Sequence, residues 1–476
     1  DFEPAQAKAW VTKYFAGIPA VPQPARPDIA EARKDYARAE EHYKSAVEHL
    51  AGMPAGNERD DFELLTLANR SQMLLRLGRI PEAEAALERA RGIADRTLPK
   101  LHPRHISLLQ RQASCAEKQG DARRELALYQ QALTMAEVLW PTPISLCGDL
   151  LHGLGEAHGK LGQASEAFTA LGKAREIHAS TKGAQSNAVR EDLVALAQIA
   201  RRSGEPQRAL AYGEQALEIS RAARPLIAER LVADTMLLGL CQQAAGDVQA
   251  AIALTRATLA EVDGDTDKVM LLYALGGFLR QVDDSEGALE SYATAETLFR
   301  KRVNLTEAEQ SMFAAVLRVH AQISLQTGDG ATAGSLLDES IKLHRSLSQP
   351  DLKELAKATW ERACVELMSG DVAKAEPLAR EAFAIAMQSK DAWSIVLIGQ
   401  QLARVLVASD RRDEALDLLT ALRDQLTAQI GASHPLSQEV AESLSALLNE
   451  PAESDGDDDE PSAMLEASVA DPNGTS

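Results

Sequence analysis

The chain repeats itself. The residue that closes one helix and opens the next recurs as Gly78, Gly120, Gly162, Gly204, Gly246, Asp283, Gly328, Gly370 and Asp410, at steps of 42, 42, 42, 42, 37, 45, 42 and 40 residues. Seven of these nine are glycine, which reaches the left-handed conformation that ends a helix without a steric penalty. Asp121, Asp247, Asp329 and Asp371 follow directly, placed to cap the next helix with a side-chain oxygen. Pro81 and Pro206 fall in that helix's first turn, where a missing N–H leaves no bond unmade. Such a period forces a stacked architecture, because one unit cannot bury its apolar face alone and its neighbours must cover it.

Three further registers are small. Seven residues before each turn stand Ser71, Ala113, Gly155, Ala197, Gly239, Gly276, Ala321, Ala363 and Ala403. Five after it stand Ala83, Glu125, Ala167, Ala209, Ala251, Ala288, Ala333, Ala375 and Ala415, and seven further on Ala90, Ala132, Ala174, Ala216, Thr258, Ala295, Ser340, Ala382 and Leu422. Alanine makes up about a sixth of the chain, so eight alanines in nine at one register is no composition effect. With aromatics at only 4%, the core must come from helices that approach backbone to backbone.

This small-residue pattern, with apolar side chains between, resembles the tetratricopeptide repeat, two antiparallel helices per unit stacked into a superhelix. The 42-residue period and the "HP" connectors in "LPKLHPRH" and "QIGASHPLSQE" look more particularly like the long repeats of kinesin light chains and their bacterial relatives. Eight residues beyond the common 34 add roughly 12 Å of helix per unit. The resemblance implies an all-α, tetratricopeptide-type α-solenoid, a right-handed superhelix of about nine helical hairpins, over residues 30–448. Residues 35–52 read as a degenerate starting unit and 435–448 as a closing helix that covers the last apolar face. Residues 1–29 read as a short helix bearing Trp10, Val11, Tyr14 and Phe15, then a proline-rich connector, "IPAVPQPARPD". Residues 449–476 read as a disordered acidic tail.

The 50 basic and 70 acidic residues give a net charge of −20. Nine acidic and no basic residues lie from Asn449 onward, which leaves the rest of the chain mildly acidic at −11. That balance argues against a generic nucleic-acid or anionic-membrane surface. The four cysteines, Cys115, Cys147, Cys241 and Cys364, are far apart with no CxxC pair, as expected of reduced buried thiols in the cytoplasm. The chain opens on Asp1, so a processed secreted or periplasmic chain, or an excerpt of a longer one, stays open. No apolar run approaches the ~18 residues of a membrane span.

Chemistry is sparse. "GLGEAHGKLG" (residues 153–162) fails the phosphate-loop spacing, since Lys160 is followed by Leu161, and its glycines occupy the repeat's own registers. His152 and His158 lie on different faces of one helix, and His102 and His105 are joined by no cysteine or carboxylate cluster, so structural histidines are expected and no metal site. There is no G-x-S-x-G and no H-E-x-x-H. Neither a cofactor nor an enzymatic activity is expected.

A partner surface is more legible. In tetratricopeptide proteins the first helix of each unit lines the concave face, so the resemblance implies a groove at the positions ten, nine, six, three and two before each turn. The residue two before it is Arg76, Lys118, Lys160 and Arg202 in the first four units, then Ala244, Gln281, Gln326, Met368 and Ala408. Asn69, Gln72, Arg111, Gln198 and Arg201 add polar and basic character. Asn69 matches the asparagine with which kinesin light chains hold a bound peptide's backbone, and the other units lack it. A last-turn cation gains ~0.3–1 kcal/mol from the helix dipole with no partner needed, but that account predicts basic residues in all nine units. The alternative is a basic groove for an acidic or carboxylate-ended peptide, the chain's own tail included. In the second half Tyr273, Phe278, Trp360, Leu367 and Trp393 supply apolar character, most of it core.

The resulting expectation is a non-enzymatic protein–protein interaction scaffold gripping a segment or helix of another protein. The alternative is a regulatory or sensor arm of a larger signalling protein, a kinase or transcription regulator, controlled by a groove ligand.

Overall fold

The computed structural model describes residues 29–449 apart from Ala55. The expected N-terminal helix and proline-rich connector (with the exception of Ile29) and the acidic tail beyond Asn449 lie outside the described residues. The chain divides into two compact units at Asp267 and Lys268.

In the first unit a lone helix, α1 (Ile29–Ala51), precedes five hairpins. Their first helices are α2 (Asn57–Arg76), α4 (Pro103–Gln119), α6 (Ser145–Lys160), α8 (Asn187–Arg202) and α10 (Ala228–Ala244). Each is followed by its second helix: α3 (Ile80–Thr97), α5 (Ala122–Leu139), α7 (Ala164–Lys182), α9 (Pro206–Ala222) and α11 (Val248–Glu261). The second unit takes up with α12 (Asp265–Gln281) and α13 (Ser285–Arg300), then α14 (Glu307–Gln326) and α15 (Gly330–Ser346). Next come α16 (Leu352–Met368) with α17 (Val372–Ser389), α18 (Ala392–Ala408) with α19 (Arg412–Ile430), and the closing helix α20 (Pro435–Asn449).

Every expected turn is left-handed. The seven glycines have φ between 71° and 85°, and Asp283 and Asp410 adopt 58° and 59°. At each turn the following N–H reaches back to a carbonyl five residues earlier, as Arg79 N does to Leu74 O (2.9 Å), Asp121 N to Ala116 O (2.9 Å) and Arg411 N to Leu406 O (2.8 Å), closing the orphan carbonyls of the helix end. The four expected aspartate caps accept from the backbone N–H groups of Arg124 (3.0 Å), Ala250 (2.9 Å), Thr332 (3.0 Å) and Lys374 (3.1 Å). In the "HP" connectors the histidine is itself a cap: Nδ1 of His102 accepts from Arg104 N and Nδ1 of His434 from Leu436 N, both at 3.2 Å.

The small registers are where helices meet. Every residue seven before a turn is buried, and of those five after it none is more than 1% exposed. A Cβ added to Gly155 would stand 2.5 Å from Leu171, and one added to Gly276 would stand 2.5 Å from the Tyr292 ring. Consecutive first helices touch directly, α2 with α4, α6 with α8 and α8 with α10 in the first unit, and α14 with α16, α16 with α18 and α18 with α20 in the second. They form the inner row of each stack. All four cysteines are buried, and burial pushes the thiols of Cys115 and Cys241 up to about 11, so both are neutral packing groups at ordinary pH. No described helix is long and apolar enough to cross a membrane.

Candidate partner-binding surface

The nine residues expected to line a groove sit on α2, α4, α6 and α8, the first helices of their hairpins, and the structure sorts them into three groups. Asn69, Gln72 and Arg111 come together. The Arg111 guanidinium on α4 donates to Ala68 O (2.8 Å) and Gln72 Oε1 (3.2 Å) through one nitrogen and to Asn69 Oδ1 (3.4 Å) through another, so it is held across the α2–α4 seam by neutral oxygens. It has no ion-pair partner among the described residues. Burial pulls its pKa below the ordinary value, with the field of Tyr43 on α1 opposing. A half-buried cation facing only neutral acceptors still attracts an anion.

Lys160 is different. Its Nζ lies 3.0 Å from both carboxylate oxygens of Glu125 and 3.5 Å from Glu117. Glu125, only 1% exposed, is the single departure from alanine in its register. Burial raises the Glu125 carboxyl above the usual carboxylate range despite Lys160. Burial also works against the Lys160 charge, but the hydrogen bond to Glu125 and the neighbouring carboxylates outweigh it and hold its pKa above the ordinary lysine value. This lysine, its side chain 34% exposed, is tied to the buried Glu125 across the seam between α5 and α6.

Arg76, Lys118 and Arg202 are exposed at the helix ends, and Gln198 is half-buried. Arg201 turns inward, and its buried Nε has no hydrogen-bond partner.

Other polar clusters were not read from the sequence. Asp192 on α8, fully buried, receives His152 Nδ1 of α6 and His178 Nδ1 of α7, each at 2.7 Å, and His178 Nε2 lies 3.0 Å from Asp149. One repeat later Asp234 takes Ser220 Oγ (2.6 Å) and Arg190 Nε (3.0 Å). The pairs His178/Asp192 and Ser220/Asp234 share one 14-residue spacing and lie 42 residues apart, a signal that was available in the sequence. In the second unit Arg318 of α14, 6% exposed, bonds Glu361 (2.7 Å) and Glu354 (3.1 Å) of α16. The inner row there carries a buried ion network. Of the apolar residues expected in that half, Phe278, Trp360 and Leu367 are buried core, Tyr273 is half-buried and Trp393 is exposed.

A family model described as the tetratricopeptide repeat matches residues 63–137 and 147–222. Over those residues the chain is a tetratricopeptide repeat protein. Among solved structures, this repeat protein is similar to the apo form of the quorum sensor NprR from B. thuringiensis, at 12% identity over 88% of this chain and 98% of that one, with a TM-score of 0.51. That likeness shows a shared fold. BtubC (BKLC) from P. vanneervenii is 18% identical over 48% of this chain and 91% of its own, at TM-score 0.42. Putative kinesin light chain repeats from Podosopora anserina are 23% identical over 41% and 93%, at 0.37. No curated protein sequence matches the chain.

Proposed function

We propose that this tetratricopeptide repeat protein is a non-enzymatic scaffold that holds an acidic or carboxylate-ended segment of another protein along the inner row of its first unit. The observation that carries the reading is Arg111, half-buried between two helices with neutral oxygens as its only hydrogen-bond partners. Asn69 and Gln72 position the guanidinium and offer amide groups to a peptide backbone, and Arg76, Lys118 and Arg202 supply exposed positive charge along the row. A second reading, a sensor or regulatory arm of a larger signalling protein, takes its support from the quorum sensor NprR, whose fold this chain shares.

The test is an affinity pull-down from the native lysate with wild type beside an Arg111→Ala, Lys118→Glu variant of unchanged helicity. Loss of a prey protein from the variant supports the groove. Identical prey refutes it and leaves the last-turn cations as helix-end electrostatics.

A further inference from the structure

Between α3, α4 and α5 lies a cleft of about 300 Å³, room for on the order of ten water molecules and at the lower edge of what small-molecule sites occupy. His105, Leu108, Leu109 and Gln112 line it from α4 at the spacing of one helical face, and Met135 faces it from α5. Two of these side chains end badly. Gln112 is 6% exposed and its Oε1 has no hydrogen-bond partner, and neither has the buried Nε2 of His105.

The repeat itself shows that these groups are unnecessary for stacking. In the next three hairpins the register of Gln112 holds Leu154, Leu196 and Leu238, and that of His105 holds Cys147, Val189 and Leu231, all buried. Only the second hairpin of this unit sets a histidine and a glutamine on that face, beside an open volume, with polar atoms left without a hydrogen-bond partner. Local rules broken without compensation mark functional positions.

The ligand chemistry follows from the atoms. Nδ1 of His105 lies 3.8 Å from Asp95 Oδ1, and in the tautomer that carries its proton on Nδ1 the ring offers Nε2 as an acceptor. The terminal torsion of glutamine is soft, so the Gln112 carbonyl can turn into the cleft as a second acceptor. The apolar wall takes an aliphatic body, and Lys100, which lines the cleft with no ion-pair partner among the described residues, takes a carboxylate. We propose that this cleft binds the unit formed by an amide N–H, an aliphatic side chain and a carboxylate. A free N-acylated amino acid and the last residue of a peptide both carry that chemistry. The site is built with the second helices α3 and α5, and it stands or falls independently of the inner-row groove.

The test uses the full chain with methyl-labelled methionine, the Met135 resonance being assigned by its loss in Met135→Leu. Wild type is titrated with N-acetyl-leucine, with a five-residue peptide ending in leucine, and with N-acetyl-N-methyl-leucine, which lacks the N–H. A saturable Met135 shift with either of the first two supports the site and assigns its source, and the N-methyl compound should bind at least tenfold more weakly. Gln112→Leu and His105→Val copy residues that the same registers already hold, so both should fold, and each should abolish the shift. An unmoved Met135 methyl with both first probes, or a shift that survives both substitutions, overturns the proposal.

Discussion

Lys160→Ala should destabilise the first unit, and replacing its partner as well should repair the damage. The substitution leaves Glu125, 1% exposed, as an uncompensated carboxylate in the seam between α5 and α6. Stranding one member of a fully buried pair costs ~3–5 kcal/mol, but the Lys160 side chain is 34% exposed, so solvent screening reduces the expectation to about 1–3 kcal/mol. Glu125→Ala installs the alanine that the other eight hairpins carry, and should change stability by less than about 1 kcal/mol. The double variant should lie close to Glu125→Ala, so the cycle is strongly non-additive.

The pH dependence has a definite sign. Burial raises the Glu125 pKa in the folded state, so its contribution favours folding at low pH and is lost as pH rises through the folded value. Removing Lys160 raises that value further. The deficit of Lys160→Ala relative to wild type should therefore be widest near neutrality and close as the solution is acidified toward the ordinary glutamate range. Urea midpoints followed by circular dichroism at several pH values read both quantities. Additive single effects, or a deficit indifferent to acid, would refute the assignment of Glu125 as a buried charge held by Lys160.

Other consequences are open to the same melts. Ala167→Leu or Ala209→Leu, at fully buried contacts, should each cost about 1–3 kcal/mol of overpacking, and an unchanged midpoint would mean the register is wrong. Gly276→Ala should destabilise by a similar amount because the new Cβ meets the Tyr292 ring, whereas Gly330→Ala, with nothing within 4 Å, should be neutral or gain ~0.4–1 kcal/mol. Asp410→Gly relieves a left-handed aspartate and should stabilise by up to about 1 kcal/mol. For the buried triad, burial opposes the His152 charge, but Asp192 and nearby carboxylates raise its pKa above the ordinary value. Its contribution is therefore full at acid pH and lost as pH rises through that folded value, so Asp192→Asn should cost more at pH about 6 than at pH about 9, read by the difference in melting temperature.

The turns and the small registers were legible because both are local: a glycine's φ and an alanine's size act within one hairpin, and all nine turns took the expected left-handed conformation. The polar clusters were not, because their partners lie in neighbouring hairpins. Lys160 read as a helix-end cation until its partner 35 residues away was seen, and the oddity at Glu125 was visible without its reason. His152 stands out as a histidine on its helix, but its partner Asp192, 40 residues away on α8, carries no local mark in the sequence. Arg318 and Glu361 fall ten and nine before their turns, registers read for basic character near the helix end and passed over farther in.

These pairs between hairpins give the array something the alanines cannot. Exchanging the α6–α7 hairpin with α8–α9 would return every small residue to an equivalent place, and each hairpin would close as before. Glu125 would then meet Arg202 where Lys160 had been, and the contacts of Asp192 with His152 and His178 would no longer be made across the same seam. Identical bricks fit in any sequence; this chain's buried charges number them, so shuffled versions should assemble as stacks yet rank measurably below the natural order in stability.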